Sequence, residues 1–303
     1  MQSPWIRFGG AAVGTVIFLN LVLKPKTFRT VMIGLGVGLT IGSTITYINS
    51  LRHHSLTAKY VPIGITGPQA NFHEIQPQIY NHLSQEYEER GELELGEEHI
   101  TVKPNVFAQI GVLDIGGVRT MWTKEIVPSI KNSIQKELLA ASNTSDTNVE
   151  SEIVFCDIGS GVGNICLQVL AETNCKKTVG VEIIPSRHKA AQTAFANAQK
   201  MFPSIYRGKN ALWVEKDLVQ CASTLKKEGV NVLFSHSWMF DDDLMRQFTK
   251  VITEVPSIAC VITSRKLDNH LLQSTPLKLH SLAHFSADWN DKAPFYVYTR
   301  SSS

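Results

Sequence analysis

The sequence predicts an α/β protein: a mostly parallel, seven-stranded sheet covered by helices and preceded by an N-terminal membrane helical hairpin. Three observations predict it. After the polar linker "SNTSDTNVES", apolar runs of strand length alternate with longer amphipathic runs, the pattern of a parallel sheet with helices on both faces. A glycine-rich turn, "DIGSGVG", stands between the first such strand and the first helix. Before residue 60, two long uncharged runs flank a short basic link.

Taken in order, residues 8–23 and 31–51 carry no charge, with Lys24, Lys26 and Arg29 between them. The second run is long enough to cross a hydrocarbon core of about 30 Å, and the first is marginal for it. Gly10 and Gly14, then Gly34, Gly38 and Gly42, recur at every fourth position, which places small residues on one helical face where two membrane helices can approach. Residues 1–59 are therefore read as an anchor that engages a membrane through residues 8–51. An acid-free, basic start is also what mitochondrial import favours, so the mitochondrial inner membrane is the expected location, with the nucleus as the alternative. Residues 60–149 form a connecting region and N-terminal extension. "VPIGITGPQ" is turn-rich, seven glutamates fall between Glu86 and Glu98, and "FAQIGVLDIGGVRTMW" reads as an ordered loop. Thr123 reads as a cap for an amphipathic run over 124–141.

The domain proper is 150–303. Its strands are expected at 153–158, 178–182, 211–215, 231–235 and 258–264, with a closing antiparallel pair at 277–285 and 295–300. Helices are expected at 163–172, 186–201 and 241–254.

The first acidic residue is Glu74, and the six basic residues before it have no acidic counterpart. From Glu74 onward 23 basic residues face 27 acidic ones, a net of −4, so the body has no general attraction to nucleic acid and no strong nucleic-acid binding is expected. Five cysteines, none in a Cys-x-x-Cys pair and none at zinc-ligand spacing, read as reduced core thiols in a reducing compartment, and no metal site is expected.

The chemistry lies at strand ends. A dinucleotide turn would place glycines at G-x-G-x-x-G, but the third such position here is Asn164. Instead Gly159, Gly161 and Gly163 alternate after Asp157, a tighter pattern that leaves the backbone bare beside a nucleoside with an amino-acid tail. Glu182, 19 residues beyond Gly163, ends the next strand, where a carboxylate can accept from both ribose hydroxyls. Asp217 follows the third strand and could accept from an adenine amino group.

Together these residues resemble the class I S-adenosylmethionine-dependent methyltransferase fold, which is Rossmann-like. Within it, "DIGSGVGNICLQVLAETNCKKTVGVE" is similar to the non-SET histone-lysine methyltransferases of the disruptor-of-telomeric-silencing type, as more loosely are "NVLFSHSWMFDDDLMRQF" and "DWNDKAPFYVYTR". The resemblance implies that Asp157, Gly159, Ser160, Gly161, Gly163, Asn164, Glu182 and Asp217 bind S-adenosylmethionine. It also implies that the segment after the fourth strand walls a narrow channel for a lysine side chain. Trp238 and Phe240 are then expected to line the channel, with His236 or Ser237 hydrogen-bonding at its inner end. Thr120, Met121 and Trp122 fall where the family has a loop that closes over the cofactor.

The chain departs from the family in Ser235-His236-Ser237, where the family is asparagine-rich, in the lack of its acidic word around Gly116-Gly117-Val118-Arg119, and in the lack of its lysine-rich tract. Three readings stand: a membrane-anchored protein-lysine N-methyltransferase whose partner is a protein bearing a target lysine, a true histone-lysine methyltransferase acting on nucleosomes, and a non-catalytic methyltransferase-like assembly factor. In architecture the first is similar to the single-anchor mitochondrial lysine methyltransferases that modify inner-membrane carriers or ATP synthase subunits.

Overall fold

The computed structural model describes residues 16–23, 27–34, 70–81, 113–133 and 148–300. The chain divides into two units, Met1–Thr66 and Gly67–Ser303.

In the first unit the described backbone is a two-stranded antiparallel sheet, β1 (Val16–Leu23) and β2 (Thr27–Gly34), paired from Val16 opposite Gly34 to Leu23 opposite Thr27. This corrects the helical hairpin expected over 8–51 wherever that expectation can be compared; residues 8–15 and 35–51 lie outside the described residues. The physical reason is that a continuous apolar run has no period to separate helix from strand, and these runs are rich in β-branched and aromatic residues. Among the described residues no helix is long and apolar enough to cross a membrane.

The second unit is built on seven strands: β3 (Val154–Ile158), β4 (Lys177–Glu182), β5 (Asn210–Glu215), β6 (Val232–Ser235), β7 (Cys260–Thr263), β8 (Leu277–Ala287) and β9 (Asn290–Arg300). Their order is β5-β4-β3-β6-β7-β9-β8. The first five are parallel and β9 runs antiparallel to both β7 and β8, so the closing hairpin inserts its second strand into the sheet and leaves its first at the edge. Strand order reverses at β3, which pairs with β4 on one side and β6 on the other. In open α/β sheets that switch point is where ligands bind.

Alternation explains why the strands are apolar throughout. Phe155, Val232, Phe234 and Ile262 enter one core, while Cys156, Leu233 and Val261 enter the core on the opposite face. A parallel sheet covered on both sides requires this. The helices carry matching stripes: α1 (Phe72–Ile79), α2 (Ile115–Met121), α3 (Asn164–Glu172), α4 (Pro185–Met201), α5 (Ala222–Glu228) and α6 (Asp242–Thr253). In α6 Met245, Phe248 and Ile252 are buried at spacings of three and four, beneath an acidic first turn that suits the helix dipole.

Of the segment expected to be a loop before Thr123, residues 115–122 are helix, and residues 107–112 lie outside the described residues. Asp114 caps α2 by accepting from the Gly117 N–H at 2.6 Å, and the helix passes through a π-helical turn, Trp122–Ile126, so Thr123 is interior to it. Gly116 and Gly117 look like turn residues, but a Cβ on Gly117 would stand 2.0 Å from the Ser286 carbonyl oxygen. Glycine is there for close packing of helix on strand, which a local reading cannot show. Met121 and Trp122 are accordingly core residues, and the Trp122 indole N–H donates to Glu150 at 2.7 Å.

One carboxylate ties the two N-terminal helices to α3. Buried Glu172, the last residue of α3, accepts from the Phe72 N–H at 2.8 Å, from Arg119 at 2.6 and 2.9 Å, and from Gln168 at 3.0 Å. A fork-to-fork guanidinium pair with extra donors is the arrangement that repays desolvating both charges.

Candidate active site

The glycine turn follows β3 at the switch point. Gly159, Gly161 and Gly163 all have positive φ, at 81°, 54° and 86°. The Gly159 and Ser160 N–H groups donate to the Val181 carbonyl at 2.8 and 3.0 Å, which stitches the turn to β4. The glycines have different reasons for lacking a side chain. A Cβ at Gly159 or Gly161 would meet nothing within 4 Å, so these two face open space. At Gly163 it would lie 2.4 Å from the Trp213 ring, and at Gly180 it would lie 2.5 Å from the same ring. Two glycines thus make room for one indole from β5, which props the turn from below.

Glu182 ends β4 and is 5 % exposed. One carboxylate oxygen accepts from the Gly161 N–H at 2.8 Å and the other from the Ile184 N–H at 2.9 Å. The group is thereby fixed against the glycine turn, and each oxygen retains lone-pair capacity for a hydroxyl donor. Asp217 lies two residues beyond β5, where it caps a short 3₁₀ turn by accepting from Val219 at 3.3 Å. Asn164 opens α3, and its side-chain oxygen accepts from Gln76 at 3.1 Å. Ser160 is buried, with its hydroxyl against the Gly180 position.

Gln76 belongs to α1, and Tyr80 just beyond it donates to the Val162 carbonyl at 2.9 Å. Residues 72–80 therefore brace the glycine turn from outside the 150–303 segment. The sequence reading missed them, and the only local signal was the Asn71 cap followed by Phe72, Ile75 and Ile79 at helical spacing.

The other side of the switch point is the end of β6. Ser235 pairs with Ile158, and its hydroxyl donates to the Ile158 carbonyl at 3.0 Å, so His236 emerges beside the glycine turn. The imidazole packs between Trp289, with centroids 5.9 Å apart, and Phe295 at 5.8 Å. Trp238 lies 6.2 Å from Trp289; the two rings are 54 % and 40 % exposed and make an aromatic wall open to water. Trp289 sits in the turn between β8 and β9, and no strand or helix period in the sequence marks it. The remaining two residues point elsewhere. Ser237 is fully buried, hydrogen-bonded to Thr263 at 2.5 Å and accepting from the Arg265 N–H at 3.2 Å. Phe240 stacks edge-on against Phe248 of α6 at 6.1 Å. Arg265 holds this segment in place through the Phe240 carbonyl and Asp242.

Burial controls the charges. Asp157, at the end of β3, is raised from 3.8 to about 8, first by burial and then by neighbouring Glu182. His236 is lowered from 6.5 to about 4 by burial. The five cysteines are free and buried, and burial pushes each thiol up, so none is an activated nucleophile. Among the described residues no group of His, Cys, Asp and Glu could hold a metal.

These residues fit S-adenosylmethionine. The open space before Gly159 and Gly161 would admit its close approach, Glu182 would meet its ribose hydroxyls, and Asp157 would offer a buried carboxyl to its cationic amino-acid end. Fold and site define a class I S-adenosylmethionine-dependent methyltransferase, with that molecule as cofactor. The family described as "Histone methylation protein DOT1" matches residues 134–285, half of the chain, and the chain belongs to it. Among solved structures, the methyltransferase domain of bacterial CtHen1 is 13 % identical, over 56 % of this chain and 97 % of that one, with a TM-score of 0.38. The magnesium protoporphyrin IX methyltransferase of Synechocystis PCC 6803, with bound SAH, is 13 % identical over 73 % and 99 %, with a TM-score of 0.35. No curated protein matches the chain.

Proposed function

We propose that the protein is a protein-lysine N-methyltransferase whose substrate is a protein at the membrane its N-terminal region engages. The observation that carries this reading is the wall of Trp238, Trp289 and His236 at the end of β6, beside the glycine turn and open to solvent. When bound, S-adenosylmethionine supplies an electrophilic methyl group. What the chain must add is a place where an amine sheds its proton and is held in line. Once the bound substrate covers it from water, an aromatic, largely uncharged wall would disfavour the ammonium form by desolvation, and alignment provides the rest. The acid-free first 73 residues, with their long uncharged runs, support a membrane partner, and the mitochondrial inner membrane suits their basic character. The family's description favours a second reading, a histone substrate in the nucleus.

Transfer of labelled methyl from S-adenosylmethionine to stripped mitochondrial membrane proteins and to purified nucleosomes separates the two. The first reading expects label on a membrane protein, at lysine. Label on a histone alone selects the second, and cofactor binding without label on either pool sinks both.

A further inference from the structure

Val162 lies between Gly161 and Gly163, both at positive φ. Glycine takes either sign of φ at little cost, so the peptide unit joining Val162 to Gly163 has no strong preference of its own for one orientation. In the structure it is pinned at both edges. The Gly163 N–H donates to the Ser160 carbonyl at 2.9 Å, and on the opposite edge the Val162 carbonyl accepts from the Tyr80 hydroxyl at 2.9 Å. Turning the unit over would set the Val162 carbonyl toward the Ser160 carbonyl, acceptor against acceptor, and would reshape the bare backbone on which a ligand rests.

The hydroxyl comes from far away in the sequence and from a rigid support. Tyr80 is 82 residues before Val162, at the C-terminal cap of α1, and its ring is buried in the cluster that includes Leu167 and Ala194. The carbonyl of Ile79, the residue before it, accepts from Asn197 of α4 at 3.2 Å. One turn earlier on α1, Gln76 donates to the Asn164 side-chain oxygen at 3.1 Å, which leaves that amide's NH₂ group for another acceptor. We propose that Tyr80, with Gln76 in support, is a positioning residue for the cofactor: its hydroxyl holds the Val162–Gly163 peptide in the orientation that S-adenosylmethionine binds. Neither side chain has to touch the cofactor for this. Because linkage between two equilibria is reciprocal, a turn that binds better when α1 is seated must also seat α1 more firmly when the cofactor is bound.

The test uses the full chain with S-adenosylhomocysteine as the probe, calorimetry for affinity, and hydrogen exchange over residues 72–80 as a second readout. Affinity is expected to fall about fivefold in Tyr80→Phe, which keeps the buried ring and removes one hydroxyl, and by a smaller factor in Gln76→Ala. In the wild-type chain saturating S-adenosylhomocysteine should slow exchange over 72–80. In Tyr80→Phe most of that slowing should be lost, even at a concentration that saturates the variant. A hydroxyl that serves only the packing of α1 would speed exchange over 72–80 in the free variant while leaving affinity and the ligand-induced slowing as in the wild type, and that result overturns the proposal. So does wild-type exchange over 72–80 that is indifferent to the ligand.

Discussion

At Gly161 and Gly163 the same residue type answers two different demands, and substitution separates them. In Gly161→Ala the new Cβ meets nothing and φ of 54° is a left-handed value that alanine tolerates, so the folding cost is expected to be about 1 kcal/mol. The methyl would, however, project into the space proposed for the cofactor, and calorimetry should find affinity reduced at least tenfold. In Gly163→Ala the Cβ must displace the Trp213 ring from 2.4 Å and also adopt φ of 86°, so the loss of stability should reach about 3 kcal/mol. Equal destabilisation of the two variants in denaturant unfolding would refute this division of roles. Glu182→Gln tests the ribose acid in the same way. Glutamine can accept at only one of the two backbone N–H groups now satisfied, and it presents a donor to the other. Cofactor affinity should fall tenfold or more, and retained affinity would show that Glu182 serves the turn alone. The spacing of Asp157, the glycines and Glu182 was legible because strand ends, turn residues and acids all leave local marks. Trp289 was not, since its role depends on a hairpin folding back across the sheet to reach His236.

Elements meet through carboxylates. Asp157 and Glu182 end adjacent strands, and burial together with that neighbour lifts Asp157 to about 8. The sign follows from linkage: the folded, ligand-free protein holds a proton that the unfolded chain, titrating near 3.8, gives up. Asp157 therefore contributes stability that is fully present below about pH 4 and is lost as pH rises toward 8. A cationic ligand end beside it favours the carboxylate, so cofactor binding near pH 7 should release a proton. Calorimetry in buffers of different ionisation enthalpy should detect that proton, and it should vanish above pH 9 and in Asp157→Asn. A buffer-independent binding heat at pH 7 would rule this out. Glu172 is the other junction, joining α1, α2 and α3. Since Arg119 is partly exposed, Glu172→Ala is expected to cost about 2–3 kcal/mol, below the figure for a fully buried pair. Hydrogen exchange should rise in 72–80 and 115–121 before it does in β3; a uniform rise would mean the sheet itself depends on this pair. This level was only partly legible in the sequence. Alternating strand and helix periods marked β3 to β9, but α2 was hidden behind Gly116 and Gly117, the second of which packs against Ser286, some 170 residues away on β8.

The whole chain joins two regions of opposite character, a basic, acid-free start and a body with a net charge of −4. Three buried clusters, all formed by residues between Phe72 and Tyr298, account for the described core of the second unit, Gly67–Ser303. Because that described core is formed within the second unit, the body is expected to fold and bind cofactor on its own. A chain beginning at Gly67 is expected to bind S-adenosylmethionine within twofold of the full chain's affinity, because α1, the Glu172 junction and the glycine turn are all retained. Its catalysis should divide according to how the substrate is presented. If residues 1–66 serve to bring the aromatic wall to a membrane-held lysine, removing them leaves kcat on detergent-dispersed substrate within a few-fold and lowers the rate on the same substrate in vesicles by tenfold or more. That difference reflects effective concentration, since tethering makes an encounter intramolecular without changing any contact at the site. Equal rates in vesicles for the two chains would detach the N-terminal region from substrate delivery. Loss of cofactor affinity on truncation would instead mean that residues before Gly67 complete the glycine-turn site.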